Sequence, residues 1–357
     1  MIRLIAYLLL LATLLPYRSY SQEQPNNASI NIGLLLPDPS LSEVIKAAEL
    51  AIEKANAEGG YMGQEFKLVI RTTEGFWGAG SKESVSLVYD DDVRGIVGSL
   101  DGRNGHLAEQ VAAKSQLTYI ETFTTDPTLS QAFVPWFMRV VPNDNQQATL
   151  LFKQIEKNGG GKVCILSQDT YDTKYAVRSL TKTAAHLDAS PPLLIDLTNS
   201  SIQHEEITRN IVSAEIKHLV LPFESEYLKD IILSLRQLNP QLNIYGTLHF
   251  TMGAESRKIP WSFYEGINMI APLQKASGSD QSFQDSRSAY TYDAVSLLIR
   301  AIHQVGTDRE AIKDYLTAAD SYRGVTGNIS FDEFGNRQDA STMIRIQSGV
   351  PQIIKNP

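Results

Sequence analysis

Two short runs carry the side chains best suited to gripping a small polar solute, "LDGRNG" at 100–105 and "FTTDP" at 123–127. An arginine in a cleft can hold a carboxylate through two parallel hydrogen bonds, an aspartate can accept from an amine, and threonine hydroxyls can do either. Each run lies between a strand-like and a helix-like segment, where backbone N–H groups at a helix start favour an anion. Asp126 suits a cap and Pro127 a first helical position, while Thr124 and Thr125 add hydroxyls beside them. Asp101 and Arg103 therefore read as ligand anchors, or equally as a pair that meets only itself or water at a cleft rim. Phe76 and Trp77 form a third candidate, an aromatic loop after a strand that either reaches a ligand or packs beneath its own loop.

Patterns for catalysis and metal binding are missing. The six histidines (106, 186, 204, 218, 249 and 303) show no HExxH or clustered ligand spacing. There is no G-x-S-x-G elbow, "GAGSK" lacks the third glycine of a dinucleotide fingerprint, and "NGGGKV" lacks the spacing of a phosphate loop. "FDEFGNR" holds Asp332 and Gly335 without the spacing of an EF-hand. The expectation is a binder rather than an enzyme, with no cofactor and no metal.

The elements that would position these residues alternate in kind. "INIGLLL" (30–36) reads as a buried strand, and "SEVIKAAELAIEKANA" places Val44, Ile45, Ala48, Ala51, Ile52 and Ala55 on one helical face. Ser40 with Glu43 predicts a capping box at the start of that helix, and Gly59-Gly60 a left-handed stop at its end. Strands at "FKLVIR", "RGIVGS" and "LTYIETF" follow, separated by helices over 81–90 and 106–116. A second series has strands "KVCILS", "PLLID", "HLVLPF" and "NIYGT" with helices near 174–187, 205–214 and 226–238. Then come "GINMIAPL", helices at 288–304 and 309–318, and a C-terminal hairpin turning at "FDEFGNR". Strands separated by helices imply parallel sheets covered on both faces, so the fold class is α/β with two doubly wound lobes.

The 357 residues exceed one ordinary core and suit two domains. Residues 1–21 read as a cleaved secretory signal: Arg3, the apolar "LIAYLLLLATLL", and Ser19-Tyr20-Ser21 before Gln22. Removing it deletes Arg3 and Arg18 and takes the net charge from -8 to -10, which excludes a nucleic-acid partner. The single cysteine, Cys164, lies in an apolar strand and has no disulfide partner; no cysteine near the cleavage site could take a lipid. A freely diffusing periplasmic protein, monomeric in solution, is the expectation. Asn27, Asn199 and Asn328 begin Asn-x-Ser sites, which matter only in a glycosylating host.

"AAELAIEKANAEGGYMGQEFKLVIRTTEG" resembles the signature of type I periplasmic solute-binding proteins of the Leu/Ile/Val-binding family. "RGIVGSLDGRNG", "LTYIETFTTDPTLSQ", "WFMRVVPNDNQQA", "KVCILSQDTYDTKYA", "SAYTYDAVSLLIRAI" and "YRGVTGNISFDEFGNR" fit the same family in the same order. The resemblance implies a Venus flytrap, two lobes joined by three crossovers near 140–145, 270–273 and 326–330. Residues 28–142 plus 272–328 would form lobe 1, and 143–271 plus 329–357 lobe 2. A small amino-acid-like or carboxylate ligand would be captured in the cleft and delivered to an ABC-type membrane permease. A sensor or scaffold engaging a protein partner is the alternative. Residue by residue, the resemblance places Gly102 where a hydroxyl side chain usually holds the ligand carboxylate, and Phe123 and Thr125 where carboxylate and amine are held. It makes Tyr171 a cleft tyrosine of lobe 2, Phe223 a closing aromatic, and Leu248 or His249 the place of an acidic amine anchor. The missing hydroxyl at 102, the missing acid near 248 and the short first loop "PDPSLS" depart from that pattern and argue against an ordinary branched-chain amino acid.

Overall fold

The computed structural model describes residues 29–354, except 77, 100, 199–202, 273–282, 284, 319–320 and 339–341. The leader-like segment 1–21, Trp77, Asn27 and Asn199 lie outside the described residues.

The first sheet is wholly parallel. Its strands β1 (Ile30–Leu36), β2 (Phe66–Thr72), β3 (Ile96–Val97), β4 (Tyr119–Glu121) and β5 (Phe137–Arg139) lie in the order β2-β1-β3-β4-β5. β1 pairs with β2 from Ile30 opposite Phe66 to Leu36 opposite Thr72. Helices α1 (Ser42–Ala57), α2 (Ala79–Tyr89), α3 (Gly102–Ser115) and the short α4 (Thr128–Gln131) connect its strands. β1 is apolar at almost every position because both of its faces are covered, as a central parallel strand requires.

The second sheet contains β6 (Val163–Ser167), β7 (Leu193–Asp196), β8 (His218–Leu221), β9 (Asn243–Gly246) and β10 (Asn268–Ala271). Its helices are α5 (Asp144–Lys157), α6 (Tyr171–His186), α7 (His204–Ser213), α8 (Glu226–Leu238) and α9 (Leu248–Ser256). The chain continues through α10 (Ser286–Val305) and α11 (Arg309–Ala318) to a small hairpin of β11 (Tyr322–Gly324) and β12 (Gly327–Ile329). It then returns as β13 (Thr342–Gln347), antiparallel to β10, and β14 (Val350–Ile353), antiparallel to β13, giving the order β14-β13-β10-β9-β8-β6-β7.

Small residues decide how the helices meet. α1 buries Val44, Ala47, Ala48, Ala51, Ile52 and Ala55, and its alanines let α10 pack closely against it. Ile45 is only half-buried, and Ala47 takes the place in the stripe that periodicity gave it. Cys164 lies in the core of the second sheet, where burial pushes its thiol up to about 12.

Several local expectations are corrected. α1 has Leu41 at its N-cap and no side-chain cap; the Ser40 N–H is taken by Asp38 Oδ1 at 2.6 Å, while Glu43 pairs with Lys46 at 3.0 Å. α3 begins at Gly102, four residues before the predicted start, because Asp101 caps it by accepting from the Arg103 N–H at 2.9 Å. α6 likewise begins at Tyr171, with Thr170 accepting from the Thr173 N–H at 3.3 Å. "FDEFGNR" turns the chain as expected, with Phe331 and Arg337 in an isolated antiparallel bridge and Asp332 N–H donating to the Asn336 carbonyl at 2.9 Å, but it does not join the strands of the C-terminal hairpin; Asp332 Oδ1 accepts from the N–H groups of Phe334 (2.9 Å) and Asn336 (2.8 Å). The terminal hairpin turns instead at Ser348-Gly349, both at positive φ (53° and 70°), as a two-residue turn of the right twist needs.

Arg337, fully buried, closes the back of the molecule. Its guanidinium donates to the carbonyls of Val140 (3.0 Å), Thr326 (2.9 Å) and Asn328 (2.8 Å), tying the end of β5 to the segments around β12.

Candidate functional site

The two loops singled out by sequence face each other across the carboxyl edge of the first sheet, and several of their N–H groups are already engaged by the protein's own carboxylates. Asp101 accepts from Arg103 N–H and from Asn104 Nδ2 at 2.8 Å, so the start of α3 carries its own carboxylate. Glu121, at the end of β4, turns its carboxylate back onto the "FTTDP" loop. One oxygen accepts from the N–H groups of Thr122 (2.9 Å), Phe123 (2.8 Å) and Thr124 (3.1 Å). The other accepts from the Tyr119 hydroxyl and from Ser99 N–H at 3.3 Å. Burial pushes the Glu121 carboxyl upward against these bonds. Asp126 accepts from Thr128 N–H at 2.8 Å, although the N-cap of α4 is Pro127, one residue later than expected, with no side-chain cap.

The second sheet's helices close directly on this edge. The Tyr171 hydroxyl, at the start of α6, donates to Asp126 Oδ2 at 3.0 Å. His106 Nε2, from α3, meets the same oxygen at 3.0 Å, with Glu109 Oε2 3.5 Å from its Nδ1. Burial works to lower the His106 pKa, but the two carboxylates outweigh it and raise it to about 9. For Asp126 burial works upward, and the bonds from His106 and Thr128 outweigh it, holding the carboxyl below its ordinary range. At the start of α9, His249 Nε2 donates to the Phe123 carbonyl at 3.1 Å, and the two rings stack with centroids 4.7 Å apart at 20°.

At Gly102 the two sides meet with no room for a side chain. A Cβ there would collide with Asp172 Oδ1 from α6 and lie 2.9 Å from a Tyr171 ring carbon and 3.0 Å from Thr124 Oγ1. Asp172 Oδ1 is buried with no hydrogen-bond partner, and so is Oδ2 of Asp144, the first residue of α5. Burial pushes both carboxyls upward and the charge of Asp126 adds to the rise, against the Thr125 hydroxyl and Arg139 at Asp144 and against His249 and the Thr124 hydroxyl at Asp172. Neither forms an ion pair among the described residues. Arg139 lies fully buried nearby, with Nη1 donating to the Asp126 carbonyl (2.8 Å) and the Thr124 carbonyl (3.4 Å) and Nη2 to Ser130 Oγ (2.6 Å), while its Nε has no partner.

The structure thus brings Asp101, Gly102, Phe123, Thr124, Tyr171 and His249 together between the lobes. Thr125 is buried beside them, with its carbonyl accepting from Asp144 N–H at 2.8 Å. Arg103 is exposed, its guanidinium 5.7 Å from the Tyr171 ring centroid, at the mouth of a cavity of about 280 Å³ lined by Gly75, Asp101, Arg103, Thr170 and Tyr171. Phe223 belongs to the second sheet's apolar core. Sequence reasoning missed Glu121, Asp144, Asp172 and His106. Glu121 carried a readable signal: a lone acid inside the apolar run "LTYIETF" is almost never buried without partners.

A family model described as "Receptor family ligand binding region" matches residues 44–345. Among solved structures, an ABC transporter substrate-binding protein from Desulfitobacterium hafniense in complex with Leu superposes with a TM-score of 0.78 at 16% identity, covering 92% of this chain and 100% of that one. The branched-chain amino acid transporter substrate-binding protein LivJ from Streptococcus pneumoniae, in complex with isoleucine, gives 0.74 at 19% identity over 92% and 100%. A solute-binding protein from R. palustris in complex with benzoate gives 0.76 at 16% over 92% and 96%. These likenesses establish the two-lobe type I periplasmic-binding-protein fold. A curated relative, the chemotactic signal transduction system substrate-binding protein BasB of Halobacterium salinarum, is 33% identical over 119 residues; that match spans 31% of this chain and 28% of the relative's length.

Proposed function

We propose, from the premise that this chain belongs to the receptor family ligand binding region, that it is an extracytoplasmic solute-binding protein. It captures a small amino-acid-like or carboxylate solute between its lobes and hands it to an ABC-type permease, without catalysing a reaction. The observation that carries this reading is the closure of α6 and α9 onto the loops of the first sheet, through Tyr171 to Asp126 and His249 to Phe123. Such hinge-closing contacts exclude water from whatever lies between them and strengthen its polar contacts. Asp101, Gly102, Phe123, Thr124, Thr125, Tyr171 and His249 are assigned to the cleft, with Arg103 at its mouth and Phe223 behind it; Trp77 is assigned to the same site on the sequence alone. In this reading the lobes divide at 142–143, 271–272 and 328–329, residues 1–21 direct export, and the mature chain is monomeric. Among the described residues no helix is long and apolar enough to cross a membrane.

Identity with part of BasB favours a second reading, in which the loaded protein reports to a chemotactic or other sensory partner instead of a permease. A thermal-shift screen of amino acids, amines, small carboxylates and amides tests the solute-binding core that both readings share. A ligand at a hundredfold over its Kd stabilises the folded state by about 2.7 kcal/mol. A reproducible rise for one chemical class is expected; a flat screen over a cooperatively melting protein counts against solute capture.

A further inference from the structure

The expected anion sites at this cleft are occupied by the protein's own carboxylates. Asp101 sits on the start of α3, Glu121 holds the three successive N–H groups of 122–124, and Asp126 holds the start of α4. The hydroxyl that would help to hold a ligand carboxylate is absent at Gly102, and Arg103 points to solvent over the Tyr171 ring. Two carboxyl oxygens nevertheless remain without a partner, alongside Arg139 Nε and the Thr122 hydroxyl. Asp144 is 3% exposed and its Oδ2 has no partner; Asp172 Oδ1 is buried without a partner against the opposite lobe. The nearest guanidinium, Arg139, turns its two terminal nitrogens to carbonyls and a serine hydroxyl, and His249 Nε2 is taken by the Phe123 carbonyl; neither donates to the two carboxyls. A buried carboxylate without a partner is costly, and a cation with N–H donors is what removes the cost. The described residues hold no group of three acidic, histidine or cysteine side chains arranged for a metal ion, which favours an organic cation.

We propose that the solute on which the lobes close is recognised through a cationic amino group that meets Asp172 and Asp144, and that a carboxylate on the solute is dispensable. The proposal rests on the solute-binding reading above and narrows its ligand class. A solute carboxylate would enter a site in which Asp101, Asp126, Asp144 and Asp172 already face it, with the amides of Arg103 and of 122–124 taken. An ammonium or guanidinium group would supply the missing donors to both orphaned oxygens as α6 swings against α3.

The test is isothermal titration of the purified protein at pH 7.5 with three matched sets built on leucine, phenylalanine and arginine. Each set holds the amino acid, the amine lacking its carboxyl group, and the acid lacking its amino group. In any set that binds, the amine should lie within tenfold of the amino acid while the acid gives no heat. Asp172→Asn should weaken the amine at least tenfold without lowering the melting temperature of the unliganded protein, because it removes an unpaired buried charge. Asp144→Asn provides the same readout if the first variant fails to fold. Binding of an acid in preference to its amine, or an amine affinity unchanged in both variants, overturns the inference and leaves solute capture standing. No binding in any of the three sets counts against solute capture itself and takes the inference with it.

Discussion

Replacing Gly102 by alanine should hold the lobes apart without weakening either of them. The residue is the first of α3 and its φ is not positive, so alanine strains no backbone and, if anything, suits a helix better by up to about 1 kcal/mol. Its Cβ, however, would land on Asp172 Oδ1 and press a Tyr171 ring carbon at 2.9 Å and Thr124 Oγ1 at 3.0 Å. The Thr124 backbone is held, its N–H by Glu121 and its carbonyl by Arg139, so only its hydroxyl can turn aside, and the hardest overlap, with Asp172, stays. The contact must therefore open on the α6 side. Forcing an extra carbon into a close-packed contact costs about 1–3 kcal/mol. Because the clash exists only in the closed form, that cost falls on the opening equilibrium, shifting it about 5- to 150-fold toward open. Small-angle scattering should show a larger radius of gyration for the variant, ligand affinity should fall by the same factor, and the melting temperature of the unliganded protein should stay within a degree or two of the parent. Unchanged scattering and affinity would refute the reasoning. A large fall in melting temperature would also refute it, since Gly102 would then be serving the lobe's own core.

Two further outcomes are expected. The His106 pKa is about 9 in the folded protein against 6.5 for the free side chain, so its ion pair contributes fully below pH 6.5 and its contribution is lost as pH rises through 9; the melting-temperature gap between the protein and His106→Gln should be widest near pH 6 and shrink towards zero above pH 9. Cys164, with its thiol pushed up to about 12 in the second sheet's core, should resist a thiol reagent at pH 8 until the protein is unfolded, and Cys164→Ala should leave ligand affinity unchanged within twofold; rapid labelling of the native protein would show that the second lobe opens.

The repeating architecture was readable because burial imposes periods on sequence. β1 and α1 each show one, and α8 runs over the predicted 226–238. Where glycine and polar residues interrupt the period, the reading failed: Gly102, Arg103, Asn104 and Gly105 look like loop but form the first turn of α3. A Cβ at Gly105 would lie 3.1 Å from Glu121 Oε2 and 3.2 Å from Ser99 Oγ, so that glycine answers to a neighbour 16 residues away and carries no helical signal. α9 was passed over because "LHFTMGAES" has neither a cap nor a stripe, which left His249 without an element to aim it. The site's acids were invisible for a different reason. Whether Asp172 is an exposed first-turn acid or an unpaired buried one depends on the opposite lobe, which no local window contains.

The embrace of α1 by α10 fixes an order on the birth of the protein. α1 is made near the start of the chain, yet the helix that covers it ends at Val305, so the first sheet spends most of synthesis with one flank bare. The second sheet's parallel strands are complete by Ala271, before α10 exists, and wait only for β13 and β14 at their edge. The later-numbered lobe can therefore be assembled while the earlier one is still unfinished, and a ribosome stalled before residue 286 would carry a chain whose beginning cannot yet settle.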